Sequence, residues 1–237
     1  MAGLIVNLRA PSGGGKSYVG SKLYADFGPP VDELRSTDYF NKKKPKLVAE
    51  ILPGDLCMAG RYQMKKSTLS AAKGYSTGVD GFFPVDDLER LLTRLADEHE
   101  FLFMESLMLS GTYTRWAEWA KKRKQDVKFV TLDTPAEKCI ERIYSRNGGN
   151  PIKEHTIVAS RRAVTNAHKK FEKDGTGILV PHMQSYETVL GLFVAAGWNP
   201  GKPLPPVDVP VDTAESVQSD REVDLASIIG PSPARAE

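Results

Sequence analysis

The sequence predicts an α/β fold of the doubly wound type, with three layers, a parallel sheet of about five strands, helices on both faces and a helical lid. Three observations predict it. The apolar run from Gly3 to Leu8 leads through a glycine-rich turn into a helical pattern in which Val19, Leu23 and Phe27 share one face. Two further apolar runs, Phe101-Leu102-Phe103-Met104 and Val127 to Leu132, each precede a helical stretch, as parallel strands joined by crossover helices do. Gly177-Ile178-Leu179-Val180 supplies a last strand.

Between these anchors the remaining elements follow in order. A short segment beginning near Val31 reads as a second strand, and Asp38 follows it. Residues 41–82 are the least readable part: Lys42-Lys43-Lys44-Pro45-Lys46 leads into a weak apolar stretch and then Gly60-Arg61-Tyr62, which reads as an insertion over the acceptor site. Val85, Leu88, Leu91, Leu92 and Leu95 have helix spacing. Thr134-Pro135-Ala136-Glu137 reads as a cap, a first-turn proline and a capping-box acid. A basic helix from Glu154 to Lys173 sets Ile157, Val164 and Phe171 on one side, and a helix from Gln184 to Ala196 closes the domain.

The chain has 237 residues, enough for one large α/β domain with a single active site. That domain is expected over residues 1–198. Hydrophobic residues make up 41% and no apolar run approaches a membrane span, so a membrane role has no support. The amino terminus runs directly into the first strand and leaves no room for a leader, which points to the cytoplasm. Cys57 and Cys139 lie in apolar segments, have no metal-binding spacing and read as core thiols. The net charge of +2 conceals a division, because residues 199–237 hold three basic residues against seven acidic ones and leave the body at +6. This proline-rich acidic tail reads as a flexible extension, the alternative being a strap packed through the alternating Val207, Val209 and Val211.

The chemistry is carried by Ala10-Pro11-Ser12-Gly13-Gly14-Gly15-Lys16-Ser17. A loop that cradles phosphates needs glycines for close backbone approach, a helix amino terminus behind them and a lysine reaching the transferred phosphate. This segment has all three directly after a strand, and meets the phosphate-loop (P-loop) pattern except that Ala10 replaces the first glycine. Ser12, Gly13, Gly14, Gly15, Lys16, Ser17 and Tyr18 are therefore the expected ATP-binding residues. Lys16 would stabilise charge on the phosphate oxygens and Ser17 would bind Mg²⁺ through its hydroxyl.

A P-loop does not by itself separate kinases from GTPases or ATP-driven machines. The guanine-reading Asn-Lys-x-Asp is missing, since Asn41-Lys42-Lys43-Lys44 lacks the aspartate. Arg142 and Arg146, four apart, share a helix face before the loop Asn147-Gly148-Gly149-Asn150-Pro151 and read as catalytic groups of a lid over about residues 142–153, or as an ordinary solvated face. Asp38 is the candidate general base, a helix cap being the alternative. Glu105, ending the third strand, is a candidate for touching the acceptor or for holding the water shell of Mg²⁺, against a structural carboxylate. Arg61, Tyr62 and Asp80, set among glycines, read as acceptor-binding. Basic groups at Lys42 to Lys46, Lys121 to Lys124, Arg161-Arg162 and Lys169-Lys170 are candidate contacts to a polyanion, and Tyr39, Tyr62, Tyr75 or Tyr113 could stack on a base.

The combination of Gly-Gly-Gly-Lys-Ser, Ser36-Thr37-Asp38, Gly60-Arg61-Tyr62, Gly78-Val79-Asp80, Met104-Glu105 and Glu141-Arg142 resembles the P-loop nucleotide-kinase superfamily, and most of all bacteriophage kinases of 5-hydroxymethyluracil in DNA. The resemblance spans about residues 3–196. It implies a P-loop kinase fold and transfer of the γ-phosphoryl group of ATP to the hydroxymethyl group of modified phage DNA, in the host cytoplasm. Ser106 after Glu105 departs from the Asp-Arg typical of thymidylate kinases. A nucleoside or nucleotide kinase with a free acceptor, and a non-catalytic ATP-binding switch, are the competing readings.

Overall fold

The computed structural model describes residues 3–40, 46–62, 79 and 85–205. Asp80, Tyr75, residues 41–45 and residues 206–237, including Val207, Val209 and Val211, lie outside the described residues. The described chain runs β1 (Leu4–Arg9), α1 (Lys16–Phe27), β2 (Asp32–Arg35), α2 (Ser36–Tyr39), β3 (Leu47–Leu52), β4 (Leu56–Ala59), α3 (Val85–Glu98), β5 (Phe101–Glu105), α4 (Leu107–Ser110), α5 (Thr114–Ala120), β6 (Asp126–Asp133), α6 (Ala136–Arg146), α7 (Glu154–Lys173), β7 (Gly177–Pro181) and, after a 3₁₀ turn, α8 (Ser185–Ala195). The basic helix has the bounds expected from its spacing.

These strands form one seven-stranded sheet in the order β2-β3-β4-β5-β1-β6-β7. The five strands from β4 to β7 are parallel, with β1 between β5 and β6. The strands beyond the expected five are β3 and β4, and β3 runs antiparallel to both β2 and β4. Residues 47–59 are thus part of the sheet and do not form an insertion over the site. Two apolar runs flank Pro53-Gly54-Asp55, and both Gly54 (φ 78°) and Asp55 (φ 62°) turn through the left-handed region. The hairpin is fastened to the start of β5, because the Asp55 carboxylate accepts the Glu100 backbone N–H at 2.8 Å and meets His99 Nδ1 at 2.7 Å.

Alternation along β1 sends Leu4, Val6 and Leu8 into one core with Val19, Leu23 and Phe27 of α1 and Val189, Leu190 and Phe193 of α8. Ile5 faces the other core, built with Leu88, Leu91, Leu92 and Leu95 of α3, Trp116 and Trp119 of α5, and Phe171 of α7. This is the three-layer arrangement, and a third small cluster of Cys139, Ile143 and Ile157 joins α6 to α7. Both cysteines are buried free thiols, as expected. The compact unit ends at Pro205 and not at residue 198. Trp198 packs edge-on against Phe27 at 4.9 Å and donates to Pro53 O, and Lys202 donates to Phe27 O and Gly28 O. No helix among the described residues is long and apolar enough to cross a membrane.

Candidate active site

At the carboxyl end of the central strand the chain makes the turn 10–15 and enters α1 at Lys16. Gly13 (φ 78°) and Gly15 (φ 99°) occupy backbone conformations that residues with a side chain rarely adopt. Gly14 is required for space: a Cβ there would lie 2.5 Å from the Cβ of Ala10. The departure from the loop pattern is thereby explained, since Ala10 turns its methyl into the core and Gly14 leaves room for it. Side chains hold the loop's carbonyls. Thr134 Oγ1 donates to Gly14 O at 2.8 Å, Arg142 Nη1 to Gly13 O at 3.3 Å, and Lys16 Nζ to Ala10 O at 2.8 Å and Pro11 O at 3.3 Å. Thr134 is therefore a loop anchor, which corrects its reading as a helix cap; the cap position of α6 belongs to Pro135. The amino terminus of α1 carries no acidic residue in its first turn and no side-chain cap, so its polarity is left for an anion.

Parallel pairing sets Leu8 opposite Glu105, which brings the end of β5 beside the loop. Ser17 Oγ donates to Glu105 Oε1 at 3.1 Å, and Glu105 is only 2% exposed. A buried carboxylate against a hydroxyl at the first turn of α1 fits a hard divalent cation bound with a nucleotide, which takes oxygen ligands and keeps several waters. Ser12 is half-buried at the loop and Tyr18 stands exposed beside it. Arg142 reaches the loop, whereas Arg146, one turn later, is exposed.

Asp38 is not brought to this centre. It follows β2, four strands from β1, and a spacing of about 4.8 Å per strand puts it roughly 19 Å across the sheet. Its carboxylate accepts the Arg35 backbone N–H at 2.7 Å, the cap alternative. Beyond Thr134, which the sequence suggested only as a cap, the structure adds Ser110 and Arg9 to the surroundings of the loop. For Arg9 the signal was present: the one charge of a largely apolar strand stands at its end, directly before the loop.

A family profile described as 5-hmdU DNA kinase matches residues 2–185, more than three quarters of the chain. The chain belongs to the 5-hmdU DNA kinase family. It is 28% identical to the 5-hmdU DNA kinase of Pseudomonas phage M6 over 183 residues, covering 76% of this chain and 91% of the phage protein. It is 27% identical over 163 residues to 5-hmdU DNA kinase 1 of Salmonella phage ViI, covering 66% and 65%. Among solved structures, shikimate kinase from Acinetobacter baumannii in complex with shikimate aligns with a TM-score of 0.38 at 15% identity, over 84% of this chain and 97% of that one.

In this 5-hmdU DNA kinase family member, a phosphotransferase, the acceptor-side candidates separate. Pairing of Ala59 with Met104 puts Gly60 level with Glu105 and the half-buried Arg61 one residue beyond it. Tyr62 follows but turns inward, 2% exposed, with its ring edge-on to Phe103 at 5.8 Å and filling the space that a Cβ on Gly20 would need. Its reading as an acceptor contact is corrected, because the ring is buried in the core against Phe103 and Gly20. The other stacking candidates are engaged as well: Tyr39 donates to Glu98 under the guanidinium of Arg94, and Tyr113 binds Asp174 and packs on Phe171. Among the basic groups, Arg123 pairs with Asp97 over Trp119 and Arg161 pairs with Asp133, while Lys121, Lys122, Lys124, Arg162, Lys169 and Lys170 are exposed.

Proposed function

We propose that this kinase transfers the γ-phosphoryl group of ATP to the 5-hydroxymethyl oxygen of hydroxymethyluracil within DNA. The observation that carries the reading is the family match over residues 2–185, which takes in the loop, Glu105 and Arg142 together. A bond forms between the hydroxymethyl oxygen and the γ-phosphorus. The bond from that phosphorus to the β,γ-bridging oxygen breaks, and ADP leaves with its electron pair. Backbone amides of residues 13–17 hold the phosphates, and Lys16 exchanges the carbonyls of Ala10 and Pro11 for phosphate oxygens, where its charge stabilises the transition state. Mg²⁺, when bound, neutralises charge on the phosphate oxygens. Ser17 is the residue to hold it, and Glu105 supports its water shell and takes the proton released by the acceptor hydroxyl. Arg142 closes over the loop as the lid group, and Arg61 contacts the acceptor.

The test is label transfer from γ-labelled ATP to four acceptors: hydroxymethyluracil DNA, thymidine DNA, free nucleosides and nucleotides. Label in hydroxymethyluracil DNA alone is the expected result. Labelling of free nucleosides or nucleotides with none in DNA overturns the acceptor, and ATP binding without acceptor-dependent turnover overturns catalysis. Acceptor affinity is expected to fall steeply with added salt, because each phosphate contact releases condensed counterions.

A further inference from the structure

Arg9 is fully buried although it is charged, and it ends β1 directly before the phosphate loop. Its guanidinium lies over the ring of Phe171 at 4.7 Å and near that of Phe129 at 5.6 Å. Nη2 donates to two carbonyls at and just after the end of α4, Ser110 O at 2.6 Å and Thr112 O at 2.7 Å. Nε and Nη1 are buried with no hydrogen-bond partner among the described residues. Burial lowers the Arg9 pKa from its usual value to about 9, the mark of a cation taken out of water without adequate compensation. A buried charge of this kind is a poor source of stability, and apolar side chains of similar volume often fold as well or better. What the charge holds in place is the more informative question.

Ser110 answers it. Its hydroxyl donates to Ser106 O at 2.7 Å and accepts the Ala10 backbone N–H at 3.3 Å. Arg9 and Ser110 thus tie the chain that enters the phosphate loop, at residues 9 and 10, to the chain that leaves Glu105, at residues 106, 110 and 112. Glu105 itself reaches the other end of the loop through Ser17. We propose that Arg9 and Ser110 form a positioning clamp that fixes the Glu105 carboxylate against Ser17 for the bound metal and nucleotide. Neither residue touches the reacting atoms. A lysine in place of Arg9 lacks the planar fork that spans two carbonyls while lying flat on an aromatic ring.

The inference rests on the metal role proposed for Ser17 and Glu105, so its test reads metal binding as well as rate. Mn²⁺ affinity of the nucleotide complex, kcat, acceptor KM and Tm are measured for the wild type, Arg9→Met, Arg9→Lys, Ser110→Ala and the double variant Arg9→Met with Ser110→Ala. Groups that orient metal ligands from behind typically change affinity or activity by about 10- to 100-fold when removed. Arg9→Met is expected to keep the wild-type Tm and acceptor KM while losing roughly tenfold in kcat and in Mn²⁺ affinity. Ser110→Ala is expected to show a smaller loss of the same kind, and Arg9→Lys not to restore the wild type. The double variant is expected to fall short of the product of the single effects, as residues in one network do. Wild-type kcat and Mn²⁺ affinity in Arg9→Met overturn the clamp, as does a rate loss that only follows the folded fraction. Should Arg9→Met fail to fold, wild-type values in Ser110→Ala overturn it alone. A wild-type nucleotide complex that binds no Mn²⁺ defeats the metal reading instead.

Discussion

Two carboxylates that look equivalent in sequence have opposite surroundings. Glu105 is buried beside the loop hydroxyl of Ser17, whereas Asp38 caps a short helix at the sheet edge. Glu105→Gln is therefore expected to lower turnover on the order of a hundredfold with ATP affinity retained. Asp38→Asn is expected to leave turnover at the wild-type value and to lower stability by about 1 kcal/mol, the size of a lost cap. A turnover loss confined to Asp38→Asn would reverse the assignment. Lys16→Ala is expected to abolish transfer, and retained turnover would remove the loop from the mechanism. The turn 10–15 and the entry into α1 at Lys16 were legible because their pattern is local to one turn. Tyr62 was not, since its direction is set by Gly20 of another helix and Phe103 of another strand. Thr134 was misread for a related reason: the carbonyl of Gly14, 120 positions away, takes the hydroxyl that a cap would use.

Among the elements, the long helices and the strands bounded by them were readable, and the hairpin β3–β4 was not. The spacing of Ile157, Val164 and Phe171 fixed α7, because one face of a long helix repeats its apolar signal several times. The strands β3 and β4 have six and four residues, too few for periodicity to distinguish a strand from any other buried run. The turn signal Pro53-Gly54-Asp55 was present, but a hairpin within an otherwise parallel pattern is recognised only by its pairing partners. The buried face of α7 also carries His168, 3% exposed. Burial lowers its pKa below 6.5, Glu172 and Asp133 oppose that shift, and Arg9 adds to it. The unfolded chain then binds the proton more readily, so this contribution is complete above about pH 6.5 and is lost as the pH falls. Tm is expected to drop on acidification from pH 7 to 5, and His168→Gln to flatten that drop. An identical slope in the variant would place the responsible group elsewhere.

For the whole molecule, the sequence placed the end of the domain at residue 198, while the compact unit continues to Pro205. Composition marks where proline becomes dense but not which prolines pack. A chain ending at Pro205 is expected to melt as the full chain does. One ending at Asn199 loses the two hydrogen bonds of Lys202, 3.2 and 2.8 Å long, to Phe27 O and Gly28 O. At about 1 kcal/mol for each such bond it is expected to melt a few degrees lower, as a thermal scan of the two truncations would read.

The central position of β1 also governs how the molecule comes into being. Leu4 must pair with Phe101 on one side and Asp126 on the other, whereas Leu52 finds Leu56 across a single turn. Closing large loops costs chain entropy before any contact repays it, so the hairpin can form early and the seat of the phosphate loop must wait. In chain order residues 10–17 precede every strand that pairs with β1, so their loop can be seated only after β6 has followed. A nascent chain that stops short of Asp126 carries the whole phosphate-loop sequence with only one side of its strand supported.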